Sequence, residues 1–397
     1  MDLPSRVDPT RHSGPMTPTR GSHQRTTGRL GAYAASLLLL APLTACGTGD
    51  GEPAAEPPGP ARTSATAGPA PSPNGDRTDD PTDAPATGST DAGEDEAGLD
   101  PEAADLPPVR DRVSLPALMR EEVRGSGLTT TRQLAETDNW TGYAATYRVD
   151  GATVSGELLV PKGEGPFPAL VLNHGYIDPD VYVLGQGMSR EQEWFAAAGF
   201  VVLHTDYRGH AGSDPVSDRD RESRLVYTRD AIGAVKALQR MPYVDADRTA
   251  YVGRSMGGGV TLNAIVAEPD LVDAAVVFAS VSSSFVDNLR QFTEPNRPDG
   301  ARAFYARHGT PQDDPRFYDG LSSRTYFDRV EVPVLLHHGT ADDTCPPQWS
   351  RETDRLLTRA GADSTLVEWP GEGHAFGPRF GDSMRRTVAF LRRHLDA

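Results

Sequence analysis

The chain has 397 residues and a formal net charge of −17, and 37% of its residues are hydrophobic. That length is enough for two domains, but the polar residues are unevenly spread along it. An acidic chain without a basic patch or interleaved arginine and aromatic residues argues against nucleic-acid binding. The two cysteines form no CxxC pair and no His/Cys cluster with zinc spacing, which argues against a structural zinc site.

Residues 1–45 have the features of a secretory signal. Arg25 and Arg29 precede an apolar stretch, Leu30–Leu43, that is too short to span a bilayer comfortably. The stretch ends in "LTAC", which resembles the lipobox of bacterial lipoproteins. The resemblance implies a diacylglyceryl group on Cys46, which becomes the mature N-terminus. We therefore expect an extracytoplasmic protein, anchored in the cell membrane by lipid only.

The same residues leave two other interpretations open. One is an uncleaved membrane anchor, and the other is a plain secretory signal in which the cysteine is coincidental. The lead before the apolar stretch is long, so Met16 is an alternative to Met1 as the translation start. If Cys46 is lipidated, Cys345 has no disulfide partner and is expected to be a small buried hydrophobic residue.

Residues 46–112 have the composition of a disordered acidic linker rich in Pro, Ala, Gly and Thr. Between 47 and 105 the chain has 14 acidic residues, two arginines and no aromatic residue. Such a segment buries too little apolar surface to offset the entropy lost on ordering. A flexible segment of this length spans roughly 40–45 Å, which suits a spacer between a membrane anchor and a domain. A low-complexity tail without function is the alternative.

From Trp140 onwards, strand-like and helix-like segments alternate. The segments "GYAATYRVDG" and "TVSGELLVP" predict an antiparallel hairpin that turns at Asp150-Gly151. Continuous apolar runs predict strands buried on both faces, and amphipathic segments predict the helices between them. The strand segments are FPALVLNHG, FVVLHTDYRG, RTAYVGRS, DAAVVFAS, VPVLLHHG and STLVEWP; the helix segments are SREQEWFAAAGF, RESRLVYTRDAIGAVKALQRM, MGGGVTLNAIVAE, PPQWSRETDRLLTRAG and GDSMRRTVAFLRRHLD.

Repeated β–α units of this length predict one α/β domain over residues 113–397, with a mostly parallel, doubly wound sheet of about eight strands. Residues 113–139 are expected to add a short helix that packs against this domain. Residues 282–328 break the alternation, because they are polar, aromatic and interrupted by proline. This insertion is expected to be either a solvent-facing excursion or a lid that walls the substrate site.

The segment "YVGRSMGGGV" places Ser255 between Gly253 and Gly257, at the junction of a predicted strand and a predicted helix. A G-x-S-x-G match is weak by itself, but this strand–turn–helix context is that of a nucleophile elbow. The serine backbone is strained in such a turn, and a side chain at either flanking glycine would crowd it. Ser255 is therefore the predicted nucleophile, and the glycines are predicted to clear space rather than to provide flexibility.

A serine hydroxyl needs a base, and the base needs an orienting acid. Asp342 and Asp343 follow the strand VPVLLHHG, and His374 lies in a glycine-rich loop between the last strand and the last helix. Each position is at the C-terminal edge of a predicted strand, where such a sheet collects its functional groups. His374 is the predicted base, whereas spacing leaves open which aspartate is the acid. Three other histidines are expected to be structural or on the surface: His337, His338 and His394.

Two convergent N–H donors are needed to stabilise an oxyanion. The N–H of Met256, which follows the predicted nucleophile, is one candidate. The N–H of Tyr176, in the loop after the strand ALVLNHG, is the other, and Gly175 permits the turn there. His174 is expected to brace this loop rather than to act as a second base.

Residues 140–397 resemble the α/β-hydrolase superfamily, and most closely the catalytic domain of the prolyl oligopeptidase family. The matching pieces are NHGY, DYRGHAGSD, VDADRTAYVGRSMGGGVTL, DDPRFYDGLSSRTYFDRVEVPVLLHHGTADDTCPP and GEGHAF. The resemblance implies an α/β-hydrolase fold and a Ser–Asp–His triad. The family pattern HGxxDxxVP corresponds to HGTADDTCP here, which implies Asp342 as the acid and puts Cys345 where valine is usual.

The chain departs from that family because residues 47–139 cannot form the β-propeller that restricts its long members to short peptides. The segment "GRSMGGGVTL" is also similar to the elbow of bacterial cutinase-like polyester hydrolases. We therefore predict a serine hydrolase that cleaves an ester or short-peptide amide bond of a small molecule through an acyl-enzyme, with no metal, cofactor or nucleic-acid partner. One alternative is a carboxylesterase or cutinase-like esterase without peptidase activity. The other is a non-catalytic lipoprotein that keeps the fold as a binding module. Acyl-group size, leaving group and oligomeric state stay open.

Overall fold

The computed structural model describes residues 106–396, without the side chains of residues 218 and 219. The predicted signal peptide, the predicted lipidation site Cys46 and the predicted linker up to residue 105 lie outside the described residues. In the part of the chain that the structure describes, no helix has both the length and the apolar character needed to cross a bilayer.

Nine strands of the described chain form one sheet. In chain order they are β1 (Gly125–Glu136), β2 (Trp140–Val149), β3 (Ala152–Pro161), β4 (Phe167–Asn173), β5 (Val201–Thr205), β6 (Val244–Arg254), β7 (Ala274–Phe278), β8 (Val334–Gly339) and β9 (Ser364–Trp369). Their order across the sheet is β1-β2-β3-β5-β4-β6-β7-β8-β9. Strands β4 to β9 pair in parallel, and β1, β2 and β3 join as antiparallel strands. The predicted fold class, an α/β-hydrolase fold with a mostly parallel sheet, is confirmed.

Helices cover both faces of this sheet. Within the described residues they are α1 (Leu115–Leu118), α2 (Ser189–Ala197), α3 (Asp218–Ser223), α4 (Leu225–Leu238), α5 (Met256–Ala267), α6 (Phe285–Asn288), α7 (Glu294–Asn296), α8 (Pro298–His308), α9 (Pro315–Asp319), α10 (Pro347–Ala360) and α11 (Phe380–His394). Helices α4, α5 and α10 bury apolar side chains in one core cluster. Helices α2 and α11 contribute to a second, separate cluster. The central strands β5, β7 and β8 are buried along their whole length, as continuous apolar runs predict.

The antiparallel end of the sheet differs in part from the prediction. Strands β2 and β3 form the predicted hairpin, and Asp150 and Gly151 at its tip have φ angles of 48° and 90°. Both values suit a two-residue hairpin turn, in which positive φ matches the twist of the strands. The short helix expected in residues 113–139 is present as α1, and β1, which was not predicted, also lies there. Its side chains are mostly exposed and polar, so the apolar alternation that marks a strand is missing.

The insertion, residues 282–328, consists of short helical segments between β7 and β8. Besides α6 to α9 it contains a π-helical turn (Leu289–Thr293) and a 3₁₀ segment (Ser323–Arg329). Proline begins α8 and α9, where a missing N–H costs nothing. Five aromatic side chains of the insertion are buried and join the core cluster: Phe285, Phe304, Phe317, Tyr318 and Phe327. The insertion is therefore packed against the domain rather than being an extended loop.

The first described residues also contact this region. The backbone N–H of Leu115 donates to the carbonyl oxygen of Gly320 at 2.8 Å. The Arg120 guanidinium donates to the carbonyl oxygens of Leu106 and Pro107 at 3.0 and 2.6 Å. Residues 106–112, the end of the predicted linker, therefore lie beside α1 and the end of the insertion.

Candidate active site

Ser255 lies in a sharp turn between the end of β6 and the start of α5. Its φ and ψ angles are 55° and −120°, an unusual conformation for a residue with a side chain. The turn is held on both sides, because the Ser255 N–H donates to Phe278 O at 3.0 Å and the Val281 N–H donates to Ser255 O at 3.2 Å. Such backbone strain costs about 1–3 kcal/mol and persists where the surrounding structure holds it in place. The predicted elbow geometry is present.

The glycines beside Ser255 are sites of close backbone approach. A Cβ on Gly257 would lie 1.8 Å from Asn173 O in β4, and a Cβ on Gly253 would lie 2.3 Å from Gly257 O. Real Cβ atoms do not approach backbone oxygens this closely, so neither position accepts a larger residue without movement of the chain. The prediction that these glycines clear space is confirmed.

The structure brings Asp342 and His374 together at the ends of β8 and β9. The His374 Nδ1 atom lies 2.8 Å from Asp342 Oδ2, and the aspartate side chain is fully buried. The other carboxylate oxygen, Oδ1, accepts the backbone N–H groups of Thr344 and Cys345, each at 2.9 Å. By contrast, Asp343 is exposed, and its carboxylate accepts a hydrogen bond from the Thr344 hydroxyl at 3.3 Å. The geometry therefore favours Asp342 over Asp343 as the acid.

His338 is a further partner of Asp342 that the sequence prediction missed. Its Nε2 atom lies 3.2 Å from Asp342 Oδ2 and 2.9 Å from Cys345 O, and its Nδ1 lies 2.6 Å from Ser350 Oγ. Burial raises the pKa of the Asp342 carboxyl, but the hydrogen bonds from His338 and His374 outweigh it and hold that pKa below its usual range. The carboxylate therefore stays ionised at neutral pH, as an orienting acid must. The doublet His337-His338 in the sequence does not distinguish this role from a structural one.

The predicted nucleophile contacts a thiol in this structure. Ser255 Oγ lies 4.0 Å from Cys345 Sγ, and no hydrogen bond joins it to His374 in the part of the chain that the structure describes. Burial, with the Asp342 charge as a smaller cause, raises the pKa of the Cys345 thiol to about 12, so the thiol is neutral. Cys345 is fully buried, as predicted. Catalytic hydrogen bonds are often long before substrate binds, so this geometry leaves His374 available as the base.

A buried ion pair holds the loop that carries His374. The Arg254 guanidinium donates to the backbone carbonyl of His374 at 2.9 Å and is also paired with Glu191 of α2. The two side chains are 8% and 2% exposed. On the other side of the loop, the buried Glu372 carboxylate accepts the N–H of Arg379 at 2.7 Å. Arg254 adjoins Ser255 in the G-x-S-x-G motif, but neither Arg254 nor Glu191 was predicted, since only the fold brings α2 beside β6.

The two predicted oxyanion donors lie at the same corner of the sheet. A Cβ on Gly175 would be 3.2 Å from Ser255 Cβ, so the loop after β4 passes directly against the serine. Among the described residues, neither the N–H of Tyr176 nor that of Met256 donates a hydrogen bond to the backbone. The Tyr176 side chain is 51% exposed. Neither amide therefore has a backbone acceptor, and both lie beside Ser255, Tyr176 in the loop after β4 and Met256 at the start of α5.

His174 braces the oxyanion loop, in agreement with its predicted role. The ring is fully buried, and its Nδ1 lies 2.6 Å from Gly175 O. Burial, with a smaller contribution from His210, lowers the pKa of His174 to about 4, so the ring is neutral at pH 7. Next to it, the buried Asp206 carboxylate accepts hydrogen bonds from the Tyr182 hydroxyl at 2.7 Å and the Gly185 N–H at 3.0 Å. This network fixes the loops beneath Tyr176.

A cavity of about 480 Å³ opens beside Ser255, within the range of pockets that bind small ligands. Part of its wall is apolar, and part carries both arginine and aspartate side chains. It is lined by Tyr176, Asp178, Pro179, Asp180, Arg221, Arg224, Ser255, Met256, Val281, Phe292, Thr293, Asn296 and Arg297. Four of these lining residues belong to the insertion: Phe292, Thr293, Asn296 and Arg297. The insertion therefore forms one wall of the cavity in this structure. Within residues 106–396, no group of three or more histidine, cysteine or acidic side chains is arranged to hold a metal ion.

Comparison with known proteins identifies related chains. The model of the prolyl oligopeptidase family matches residues 186–397, more than half of the chain. The uncharacterized peptidase YuxL of Bacillus subtilis is 29% identical over 235 residues, which are 57% of this chain and 34% of that protein. Dipeptidyl aminopeptidase BIII of Pseudoxanthomonas mexicana is 26% identical over 222 residues, or 54% of this chain and 31% of that protein. The chain thus spans about a third of the length of these two curated relatives.

A solved structure shares the fold at low sequence identity. Acetyl xylan esterase 1 from a Thermoanaerobacterium species superposes with a TM-score of 0.54 and 23% identity, covering 70% of this chain and 92% of the esterase. At that identity the likeness concerns the fold alone.

Proposed function

The chain belongs to the prolyl oligopeptidase family and is a serine hydrolase, and we propose that it cleaves an ester or short-peptide amide bond with Ser255, His374 and Asp342 as its triad. The observation that carries this proposal is the 2.8 Å hydrogen bond between His374 and the buried Asp342, at the same rim as the strained Ser255 turn. An imidazole oriented by a carboxylate is the base that a serine hydroxyl requires.

In the acylation half-reaction, the Ser255 hydroxyl turns from Cys345 toward Nε2 of His374. Nε2 takes the proton while Oγ attacks the substrate carbonyl carbon. The carbonyl oxygen becomes an oxyanion, which accepts the N–H groups of Tyr176 and Met256. The tetrahedral intermediate then collapses, and the bond to the leaving group breaks. The leaving group takes the proton from His374 and departs, and the acyl group stays on Oγ.

In deacylation, a water molecule replaces the leaving group. His374 removes one proton from the water, and the resulting hydroxide oxygen bonds to the acyl carbon. When the second tetrahedral intermediate collapses, Oγ leaves and takes the proton from His374. The acid product departs, and Ser255 is a hydroxyl again. Throughout the cycle the ionised Asp342 stabilises the imidazolium form of His374.

A fluorophosphonate probe tests the nucleophile directly. We expect the wild-type protein to be labelled and Ser255→Ala to be unlabelled. Ser364→Ala is a matched control, because Ser364 lies on β9 and its hydroxyl donates a hydrogen bond to Asp354. This variant should be labelled like the wild type. Failure of the folded wild-type protein to react would support the non-catalytic binding module instead.

Substrate class is tested by comparing p-nitrophenyl acyl esters with short peptide p-nitroanilides. We propose that esters are turned over with the higher kcat/KM, because the described residues include no β-propeller. If the protein is an esterase without peptidase activity, only the esters will be hydrolysed. Higher kcat/KM for the peptide anilides would contradict it and favour a peptidase.

We also propose that Cys46 carries a lipid anchor. The support is the sequence "LTAC" after an apolar stretch with two preceding arginines. Expressed as the full chain in a bacterium that matures lipoproteins, the wild type should be found with the membranes and Cys46→Ser should be released. Membrane retention of Cys46→Ser would contradict lipid anchoring.

A further inference from the structure

The cavity beside Ser255 combines an apolar wall with a charged one, which carries three arginines and two aspartates. Met256, Val281 and Phe292 line one part, and Arg221, Arg224 and Arg297 line another. A second, smaller cleft of about 50 Å³ shares Arg224, Met256, Val281 and Phe292 with it. An acyl group bound to Ser255 therefore has apolar surface and a guanidinium within one small space.

Arg224 has an unusual backbone position at the junction of α3 and α4. Its φ and ψ angles are 60° and 2°, the left-handed region that residues with a side chain rarely adopt. Its N–H donates to Arg221 O at 3.2 Å. Strained conformations of this kind cost about 1–3 kcal/mol and cluster at functional sites. The kink between the two helices sets Arg224 at the cavity wall.

The Arg224 guanidinium forms no ion pair with an acidic side chain that the structure describes, although the charge of Glu222 acts on it more weakly than burial does. Its Cζ lies 5.8 Å from the centre of the Tyr176 ring, beside the predicted oxyanion loop. Neither a side-chain hydrogen bond nor an ion pair of Arg224 is found among the described side chains. Burial lowers its pKa, but a guanidinium remains charged at neutral pH. A half-buried cation of this kind is stabilised by binding an anion.

Two acidic residues, Asp178 and Asp180, line the cavity, and a third, Glu222, lines the adjoining cleft. Glu222 is 5% exposed and is paired with Arg297 at 2.9 Å. Asp178 and Asp180 are exposed residues of the loop after β4, and Asp178 accepts the N–H of Asp180 at 3.0 Å. The Glu222 charge is therefore compensated by a neighbour, and the two aspartates are solvated.

We propose that Arg224 binds a carboxylate on the acyl part of the substrate, so that the preferred substrates have an anionic acyl group. The proposal rests on the proposed function, because it assigns the acyl side of the same site. The aliphatic part of the acyl group packs on Met256, Val281 and Phe292, and the guanidinium takes its carboxylate with two parallel N–H···O bonds. Two sources carry this chemistry: the half-ester of a dicarboxylic acid, and a peptide with an acidic side chain before the cleaved bond.

The test uses pairs of substrates that differ only in charge. The first pair is the p-nitrophenyl half-ester of adipic acid and its neutral methyl ester. The second is N-acetyl-glutamyl and N-acetyl-glutaminyl p-nitroanilide. For the wild type we expect kcat/KM to be about tenfold or more higher for the anionic member of at least one pair, the gain typical of a charge-assisted contact. The pair that shows the preference identifies the source.

The variant Arg224→Met removes the cation and keeps an extended apolar side chain. We expect the anionic-to-neutral ratio of kcat/KM to fall about 10- to 100-fold, the size of one lost hydrogen-bonded ion pair. Arg224→Lys should retain part of the preference, because it keeps the charge but not the paired donors. Arg359→Met is the matched control, since Arg359 is an exposed residue at the end of α10, and it should keep the wild-type ratio.

Several outcomes overturn the proposal. It is wrong if the wild type hydrolyses the neutral member of both pairs at least as well, or if Arg224→Met leaves the ratio unchanged while the protein is folded and labelled by a fluorophosphonate. A wild type that is neither labelled nor active on any of the four substrates overturns the proposed function as well. Labelling and neutral-ester turnover without a charge preference overturn the anionic-acyl inference alone.

Discussion

The rim of the sheet and the insertion that faces it are built differently. The rim comprises the loops after β4, β6, β8 and β9, which carry Tyr176, Ser255, Asp342 and His374. Its groups are held by short backbone contacts and by buried polar partners, such as the two N–H groups on Asp342 Oδ1. The insertion consists of helices three to eleven residues long, and its wall residue Phe292 is half-buried.

This difference separates two tasks. In the proposed mechanism, proton transfer at the rim tolerates little displacement, because it depends on hydrogen-bond distances between Ser255, His374 and Asp342. Selection of the acyl group depends on the shape and charge of the wall, which short helices can change without disturbing the sheet. We therefore expect substitutions at the rim to abolish chemistry or folding, and those in the insertion to alter specificity.

The largest effect is expected at His374. His374→Ala should lower kcat for a p-nitrophenyl ester by about 10⁴-fold or more, and Ser255→Ala should cost nearly as much, because the triad acts as a unit. The double variant should be little worse than either single one. Steady-state kinetics checks this. If His374→Ala keeps most of the activity, the base is assigned to the wrong residue.

The next largest effect concerns the elbow glycines. Gly257→Ala should prevent folding or cost at least about 4 kcal/mol of unfolding free energy, since its Cβ meets the backbone oxygen of Asn173 at 1.8 Å. Gly259→Ala is the matched control, because its Cβ meets only Val281 Cγ2, at 2.7 Å, and a side chain can rotate away. Urea unfolding of both variants makes the comparison. Equal stability would show that the rim is more compliant than its contacts indicate.

Breaking the buried ion pair behind His374 should affect stability and rate together. Arg254→Met leaves Glu191 buried without its cation, which should cost about 3–5 kcal/mol. The loss of the bond to His374 O should also reduce kcat more than it raises KM. The double variant Arg254→Met with Glu191→Gln should regain stability but not kcat. Recovery of both would mean that Arg254 has no role in positioning the His374 loop.

The rim should also make stability depend on pH. The pKa of His174 is about 4 when folded and about 6.5 when unfolded, so the unfolded chain binds the extra proton first. The neutral His174 ring contributes roughly 3 kcal/mol to the free energy of unfolding. This contribution is complete above pH 6.5 and is lost as the pH falls toward 4. Urea unfolding between pH 7.5 and 4.5 should show a smaller loss for His174→Gln than for the wild type. An equal loss would contradict a buried neutral His174.

The smallest effect on kcat/KM is expected from a substitution in the insertion. Phe292→Ala enlarges the cavity, so kcat/KM for short acyl esters should fall about tenfold while longer chains are affected less, because apolar pockets discriminate weakly per methylene. Fluorophosphonate labelling should persist, which distinguishes this variant from those at the rim. A rate profile unchanged across acyl chain lengths would show that Phe292 does not contact the acyl group.

The sequence predicted most of the fold and the relative order of the site residues. Buried parallel strands are recognisable because they are apolar along their whole length, and the elbow is recognisable because Gly253 and Gly257 are required on both sides of Ser255. Strand β1 was missed because its exposed polar side chains carry no periodic signal. Arg254 was missed because its partners, His374 and Glu191, are far away in the sequence. His338 was missed although Asp342 is only four residues away, because the doublet His337-His338 does not show which ring contacts the loop after β8.

The sequence by itself therefore determined the element order, the elbow and the candidates Ser255, Asp342 or Asp343, and His374, since each of these depends on local pattern. Spacing left Asp342 and Asp343 open, the family resemblance implied Asp342, and the tertiary structure places Asp342 against His374. Only the tertiary structure decided that Glu191 supports Arg254 and that Arg224 faces the cavity beside Ser255. Those contacts join residues of different loops, and their distances depend on how the strands pair and how the helices pack, which local sequence does not specify.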